Sequence, residues 1–306
     1  MPMVQRSVVA GIEGRLGHLA YDPASGCLYV ACKAAGSVEV MDNTQMKTLQ
    51  SVKDLPEPRG MAFSPTLRRL FVTCGDGTVR VFDVDKQGLL TQAAKVDFRG
   101  EANPIRIDPK TNRVHVGFGK FYSSFDGKSG EKGKEIELPG FADSILLEDA
   151  GPRVFVSIPK LGQIVVIDSN QNKIVETWAI KDAKDSVALT ADQPDERLFV
   201  ATRTPPQLVV LDMKTGNQVS KVDIANDADD AWYDAQGKRV YVSCGGSKTA
   251  MVLQKGKDEY TLEHMEDTNA GAMTSLLIPD KRKLIVASPK VGPDGFTFLY
   301  IYVLPP

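Results

Sequence analysis

One short pattern of apolar and small residues recurs seven times along the chain. Each unit has an apolar residue, a residue that is usually aromatic, a valine, a small residue and a small or polar one, at residues 28–32, 70–74, 114–118, 154–158, 198–202, 240–244 and 284–288. Counted from the second position, the steps are 42, 44, 40, 44, 42 and 44 residues. A fixed period near forty, with β-branched and aromatic residues in each unit, predicts a β-propeller in which one repeat makes one blade.

The residues around this signature predict three further strands in each repeat. An alternating strand ending in Asp-Pro or Ser-Pro precedes it, as in residues 18–23 and 60–65, and is expected to be the innermost strand. A third strand follows and ends in an aspartate, which we interpret as an acceptor for the backbone N–H groups of the next turn, at Asp42, Asp83, Asp126, Asp168 and Asp212. More polar outer strands come next, as expected at an edge that faces solvent.

These elements predict an all-β fold, a seven-bladed β-propeller with four-stranded antiparallel blades. The last repeat ends in a long strand at residues 296–304 and lacks one strand. The apolar stretch 7–12 precedes the first inner strand, so we expect this N-terminal strand to complete the last blade and close the ring. Seven repeats fill residues 1–306, which predicts a single domain.

Composition limits the partners and the compartment. A formal net charge of −2 gives no long-range field favouring nucleic acid or an anionic membrane, and no apolar run is long enough to span a bilayer. Residues 1–6 lack the features of a secretory signal, so the chain as written is expected to be cytoplasmic, or periplasmic or secreted if a signal peptide has been removed. Cys32, Cys74 and Cys244 share one column of the repeat, which predicts buried free thiols because equivalent positions of different blades lie too far apart for a disulfide.

The repeats resemble those of a known family. An aromatic-Val-small-polar signature, preceded by Tyr-Asp-Pro and followed by Val-x-Val-apolar-Asp, is similar to the YVTN-type repeat of the YncE-like seven-bladed propellers. The resemblance spans the whole chain and implies the same fold. It leaves the chemistry open, because similar propellers include surface-layer proteins, proposed single-stranded DNA binders, lactonases and quinoprotein subunits.

Positions that break the symmetry of the repeat are the candidates for recognition. The inner-strand column eight residues before the signature reads Ala20, Ala62, Arg106, Leu146 and Trp232, with Ala188 and Leu276 added by approximate alignment. Arg106 and Trp232 are the exceptions in this column. An arginine can hold a carboxylate with two hydrogen bonds and a tryptophan can supply a stacking face. We therefore expect a ligand at one mouth of the central channel, with Arg106 and Trp232 joined by Arg59, Asn103, Asp143, Asp185 and Thr274. The alternative is that Arg106 and Trp232 only fill a tapering channel.

Two further functions remain open. A lactonase-like or lyase-like hydrolase would use His18, which opens an inner strand, with Asp229 or Asp230, which belong to the densest acidic stretch. The acidic stretch lacks the spacing of a calcium loop, so solvated acids are the simpler interpretation. The sequence shows no evident set of metal ligands and no evident cofactor. A divalent cation would nevertheless suit the hydrolase. Single-stranded nucleic acid binding requires a basic groove with interleaved aromatics, and the acids near the mouth oppose it.

The leading hypothesis from the sequence is a binding propeller without catalysis. It would recognise a small polar or anionic molecule, or a segment of a protein partner, at the mouth of the channel. We expect a monomer with no membrane span, and we do not expect nucleic acid as the partner.

Overall fold

The computed structural model describes residues 1–9, 12–290 and 296–305, and it contains seven four-stranded antiparallel sheets. Blades 1 to 3 comprise β2 (Leu19–Asp22), β3 (Cys27–Cys32), β4 (Ser37–Asp42) and β5 (Thr48–Val52); β6 (Pro58–Ser64), β7 (Arg69–Cys74), β8 (Thr78–Val84) and β9 (Leu90–Asp97); β10 (Ala102–Ile107), β11 (Arg113–Phe118), β12 (Phe121–Asp126) and β13 (Ile136–Glu137). Blades 4 and 5 comprise β14 (Ser144–Leu147), β15 (Arg153–Ile158), β16 (Gln163–Asp168) and β17 (Lys173–Ala179); β18 (Lys184–Asp192), β19 (Arg197–Thr204), β20 (Pro206–Asp212) and β21 (Gln218–Asp223). Blades 6 and 7 comprise β22 (Ala228–Asp234), β23 (Arg239–Cys244), β24 (Lys248–Gly256) and β25 (Glu259–Asp267); β26 (Thr274–Ile278), β27 (Lys283–Ser288), β28 (Phe298–Val303) and β1 (Met3–Val8).

The signature of every repeat lies in the second strand of its blade, which is almost wholly buried because sheets cover both of its faces. Two single-turn 3₁₀ helices, Pro159–Leu161 and Pro279–Lys281, interrupt the strands, and the described residues include no α-helix. The all-β, seven-bladed prediction is confirmed.

The core consists of apolar clusters between neighbouring blades. The cluster between blades 2 and 3, for example, joins Phe71 and Val81 to Ile105 and Phe125. Another joins Leu19 and Leu28 of blade 1 to Ile285 and Ile301 of blade 7, so the ring is closed by packing between the first and last blades. A ring of this kind buries both faces of every blade.

The N-terminal strand completes blade 7, as expected, but it lies earlier in the chain than the apolar stretch 7–12. Strand β1 spans Met3–Val8 and pairs with β28 from Met3↔Tyr302 to Val8↔Phe298. An outermost strand faces solvent, so the polar sequence Gln5-Arg6-Ser7 is compatible with it and apolar content was a poor guide to its position. Ala10 and Gly11 lie outside the described residues.

The aspartates at the ends of the third strands serve the following turn in four of the five predicted cases. The Oδ1 atoms of Asp42, Asp126, Asp168 and Asp212 each accept two backbone N–H groups. In blade 2 the acceptor is Asp85, two residues further on, and Asp83 instead pairs with Arg69 at 2.8 Å.

All four cysteines are buried free thiols, which confirms the prediction for the three in the signature column. Burial raises the pKa of Cys32 and Cys244 to about 12 and that of Cys74 to about 11. These thiols therefore remain protonated at neutral pH and behave as small core residues.

Candidate functional site

Two adjoining chambers lie at the mouth of the central channel, where the inner strands begin. The inner chamber has a volume of about 80 Å³ and is lined by Arg106, Ser144 and Asp230, and the outer one has a volume of about 190 Å³ and is lined by Lys33, Arg59 and Thr274. Five residues line both chambers: Arg15, His18, Asn103, Asp143 and Asp229. We call these two chambers the channel-mouth site.

His18 is held by the backbone of two blades and by a carboxylate from a third. Its N–H donates to Arg59 O at 2.8 Å and its carbonyl accepts from Ala31 N at 3.1 Å. The imidazole Nδ1 lies 3.1 Å from Asp230 Oδ2, and the same oxygen accepts from Ser275 N at 2.9 Å. The predicted proximity of His18 to the acidic stretch is therefore present, with Asp230 orienting the ring.

The surroundings of His18 make it a cation at neutral pH. Burial alone would lower its pKa, but the charge and hydrogen bond of Asp230, together with the charge of Asp229, outweigh burial and raise the pKa from 6.5 to about 9. The positive charge of Arg106 opposes this rise. A protonated imidazole can hold an anion or donate a proton, but it cannot act as a general base.

Arg106 projects from β10 into the inner chamber without a carboxylate partner. Its Nη1 donates to Ile105 O at 2.8 Å, and no acidic side chain among the described residues lies within ion-pairing distance. Burial lowers the pKa of Arg106, and the negative charge of Asp230 only partly opposes this. The guanidinium thus has donors available in a partly desolvated chamber, which is the arrangement that binds a carboxylate or another oxyanion.

Two acids complete the site. Asp143 accepts from Asn103 Nδ2 at 3.0 Å, and burial raises its pKa against the opposing charges of Arg203, His18 and Arg15. Burial raises the pKa of Asp229 to about 6, opposed by His18 and Arg203 and reinforced by Asp230 and Asp143. These acids can accept hydrogen bonds from a ligand, and their charge decreases in mild acid.

The structure brings most of the sequence-predicted residues together but leaves two outside the chambers. Arg59 and Thr274 line the outer chamber, although Arg59 is already paired with Glu57 at 2.9 Å and Glu101 at 3.0 Å. Trp232 Nε1 donates to Ser275 Oγ at 3.2 Å and its ring packs against the apolar clusters near blade 7. Asp185 accepts from Thr204 Oγ1 at 2.9 Å, and neither Trp232 nor Asp185 lines a chamber.

One column was also aligned incorrectly in blade 5. Thr190, rather than Ala188, pairs with the signature aromatic Phe199. Thr190 lies eight residues before Leu198, the same spacing as in the other blades, so the regular spacing identifies it.

Arg203 is a site residue that the inner-strand columns missed. It lies in β19, one residue before the end of the strand. Its Nη2 contacts Asp229 Oδ1 at 2.6 Å, and its Nε lies 3.2 Å from Asp227 Oδ1. At the position directly after the signature, five other blades have glycine or proline, and the first blade has Lys33. An exception in that column would have identified Arg203.

The acidic stretch is paired rather than freely solvated. Asp227 and Asp229 contact Arg203, Asp230 contacts His18, and Asp234 Oδ1 lies 2.7 Å from Arg282 Nη1. Within the described ranges, no group of three His, Cys, Asp or Glu side chains is arranged to hold a metal ion. These carboxylates therefore pair mainly with arginine and histidine side chains of the protein.

The basic and aromatic residues considered for nucleic acid binding are divided between the two ends of blade 3. Arg113 begins β11 and Lys120 follows its other end. Across the described residues, no helix is both long and apolar enough to span a membrane.

Comparisons with known proteins agree with the fold. No family model matches the chain. Over 227 residues it is 22% identical to the uncharacterized protein YncE of Salmonella typhi and to that of Salmonella typhimurium. The matched region covers 74% of this chain and 53% of each relative, so the chain spans about half the length of the curated relatives it matches.

Similar solved structures share the fold at low identity. A chain of Kuenenia stuttgartiensis hydrazine synthase superposes with a TM-score of 0.79 at 15% identity, over 92% of this chain and 96% of that one. A chain of a mitotic checkpoint complex superposes with a TM-score of 0.81 at 14% identity, over 98% of this chain and 92% of that one. The β-propeller domain of Cps50 (Swd1) from Myceliophteria thermophila superposes with a TM-score of 0.75 at 14% identity, over 98% of this chain and 100% of that one. Identities this low support the architecture alone.

Proposed function

Because the chain is a YncE-like seven-bladed β-propeller, we propose that it is a binding protein that recognises a small anionic ligand at the channel-mouth site. The observation that carries this proposal is the Arg106 guanidinium, which has one hydrogen bond to a backbone carbonyl and no carboxylate partner among the described residues. A ligand carboxylate or similar oxyanion would supply the missing partner.

The neighbouring groups support this assignment. Protonated His18 adds a second positive charge beside Arg106, while Asp229 is occupied by Arg203 and Asp230 by His18. Asp143 and Asn103 offer an acceptor and an amide for a second polar group of the ligand. Chambers of about 80 and 190 Å³ favour a molecule of a few heavy atoms, because sites for drug-sized ligands are larger.

Thermal unfolding with small anions tests the proposal. Acetate, malonate and phosphate would be added to the wild-type protein and to Arg106→Ala, with Arg99→Ala, on an exposed side chain, as the matched control. At ten times the dissociation constant a ligand stabilises by about 1.4 kcal/mol, so a shift in melting temperature of roughly 3–5 °C is expected for at least one anion. That shift should disappear in Arg106→Ala and persist in Arg99→Ala; equal affinity in the two variants would contradict the assignment.

The second candidate is the lactonase-like or lyase-like hydrolase, favoured by the 3.1 Å approach of His18 to Asp230. With the pKa of His18 near 9, base catalysis would require alkaline conditions, so hydrolysis of a lactone should increase through that pH. Activity that is absent in His18→Ala and rises between pH 8 and 10 in the wild type would support it, with and without added divalent cation. A flat profile, or one unchanged by His18→Ala, would argue against this candidate.

A further inference from the structure

A separate cavity lies between blades 3 and 4, on the face opposite the channel mouth. It has a volume of about 310 Å³ and is lined by the turn after β10, the turn after β14, and Ser169 and Asn170 in the turn after β16. These turns follow the ends of inner strands, whereas the channel-mouth site lies at their beginnings. We call this space the blade 3–4 cavity; His115, Leu147 and Val154 form part of its wall.

The cavity lies where other blades place an aromatic ring. The second signature residue is Tyr or Phe in five of the seven repeats, and its ring extends towards the next blade. The hydroxyl of Tyr29 donates to Gly88 O, in the turn after β8, at 3.1 Å, and Phe199 stacks on Tyr233 of β22 with ring centroids 5.3 Å apart.

Blade 3 carries His115 in this column, and its smaller imidazole hydrogen-bonds to Tyr122 of the same blade. On blade 4, Leu147 pairs with Val154 and so has the same place in the sheet as Tyr233, which pairs with Val240 in blade 6. Ser169 lies in the turn of blade 4 that corresponds to the turn of Gly88 in blade 2. Leu147 and Ser169 both line the cavity. The blade 3–4 cavity is therefore a gap in the repeat that has the position of an aromatic ring.

His115 presents an unused hydrogen-bonding group there. The residue is only 4% exposed, and its Nδ1 lies 2.6 Å from the Tyr122 hydroxyl. Burial lowers the pKa of His115 to about 4 and raises that of Tyr122, so both are neutral at pH 7. Among the described residues, His115 Nδ1 is the hydrogen-bond partner of this hydroxyl, so we assign the hydroxyl as donor and Nδ1 as acceptor. The proton of the neutral imidazole is then on Nε2, and this Nε2–H has no partner in the described part of the chain.

Arg113 places a positive charge beside His115. The two residues are separated by one position in β11, so their side chains lie on the same face of the strand. Arg113 donates to Ser124 Oγ and O at 3.0–3.2 Å and makes no ion pair within the described residues, whereas the arginines at this position in blades 2, 4 and 5 contact carboxylates. Three acids line the cavity: Glu148 pairs with Arg153, Asp108 accepts hydrogen bonds within its own turn, and Asp149 is exposed.

We propose that the blade 3–4 cavity binds a planar aromatic carboxylate. The ring occupies the position that Tyr or Phe fills in other blades, against Leu147 and Val154, and the carboxylate accepts hydrogen bonds from Arg113 and from His115 Nε2–H. Apolar walls with a few convergent polar groups are the usual composition of such a site.

Titration with benzoate, followed by NMR or calorimetry, tests this proposal. A dissociation constant on the order of 1 mM is expected for a ligand of this size, and cyclohexanecarboxylate, which is not planar, should bind at least about tenfold more weakly. His115→Phe removes the Nε2–H donor and places a larger ring at the cavity wall, so it should weaken benzoate binding at least about tenfold. Its melting temperature should fall, because the buried Tyr122 hydroxyl loses its acceptor.

Two further variants complete the experiment. Arg113→Gln should weaken benzoate binding about tenfold, whereas Arg99→Ala, at an exposed side chain outside both sites, should leave it unchanged. Absence of benzoate binding at 20 mM, or undiminished binding by a folded His115→Phe protein, would overturn the proposal.

Discussion

His18 is the residue whose charge depends most on its neighbours. Asp230, anchored by Ser275 N, approaches its ring from blade 6, and Asp229 adds a second negative charge nearby. The resulting imidazolium lies beside Arg106, so two positive charges share a chamber that excludes much of the solvent. Two like charges held together in this way favour an anionic ligand.

The first prediction concerns the pH dependence of stability. The pKa of His18 is raised in the folded state to about 9 from 6.5, so its contribution to the free energy of unfolding is fully present below pH 6.5 and is lost as the pH rises through 9. Denaturant unfolding between pH 6 and 10 should show this decrease in the wild type. His18→Gln should reduce it, and His264→Gln, at a half-exposed side chain, should not; identical profiles for His18→Gln and wild type would contradict the pKa.

Asp229 titrates at a lower pH than His18, so it tests the charges of the channel-mouth site in a different pH range. Its pKa is raised to about 6 in the folded state, so its contribution is present below about pH 4 and is lost as the pH rises through 6. Asp229→Asn should flatten the stability profile between pH 4 and 6. It should also move the alkaline decrease to lower pH, because the charge of Asp229 helps to raise the pKa of His18. An effect of Asp229→Asn confined to alkaline pH would contradict the assignment.

At the scale of the element, the turn after the third strand illustrates how one side chain serves a repeated structure. Asp126 accepts the backbone N–H groups of Lys128 and Ser129 at 2.9 and 2.7 Å, and these bonds, with burial opposing them, hold its pKa below the ordinary value. Asp83 is at the same place in blade 2, and within the described ranges its carboxylate contacts only Arg69, in an exposed ion pair. Asp126 and Asp83 therefore occupy equivalent positions, but Asp126 holds a turn and Asp83 forms a surface ion pair.

Substitutions at these two positions should differ in their effect on stability. Asp126→Ala should lower the free energy of unfolding by about 1–2 kcal/mol because two backbone donors lose their acceptor, and Asp126→Asn should restore most of it because an amide oxygen can accept both. Asp83→Ala should cost less than about 1 kcal/mol, as for an exposed ion pair. Chemical denaturation measures all three; equal losses for Asp83→Ala and Asp126→Ala would contradict the turn-forming role.

The sequence predicted elements better than side-chain positions, for a physical reason. Burial of both faces of a blade requires the signature in every repeat, so its period indicated seven blades. Whether a side chain reaches the channel depends on local bulges and on space in the adjacent interface. Arg106 broke its column and lines the chamber, whereas Trp232 broke the same column and packs between blades. Arg203 was missed because it lies near the end of β19, the second strand of its blade, whereas the channel mouth was expected to be lined by the inner strands and the loops that lead into them.

At the scale of the whole molecule, the ring is closed by two different contacts. Strand β1 covers the edge of β28, and the apolar cluster around Val9, Leu16 and Ile301 joins blades 1 and 7. Hydrogen bonds within blade 7 and packing between the blades are thus contributed by adjacent parts of the N-terminal segment. Both sites described above lie within blades that this closure holds in position.

Removal of residues 1–8 separates these contributions. It leaves the backbone donors and acceptors of β28 unpaired at an exposed edge, which promotes pairing with a second copy, and the melting temperature should fall by about 10 °C if the loss is about 4 kcal/mol. Val4→Asp, on a side chain that is 56% exposed in the same strand, is the matched control and should leave the melting temperature within about 2 °C of the wild type. Scanning calorimetry with light scattering measures both effects. A truncated protein that stays monodisperse and melts with the wild type would show that packing between blades 1 and 7 closes the ring without the strand, whereas aggregation of the truncated form alone would show that β1 protects the edge of blade 7.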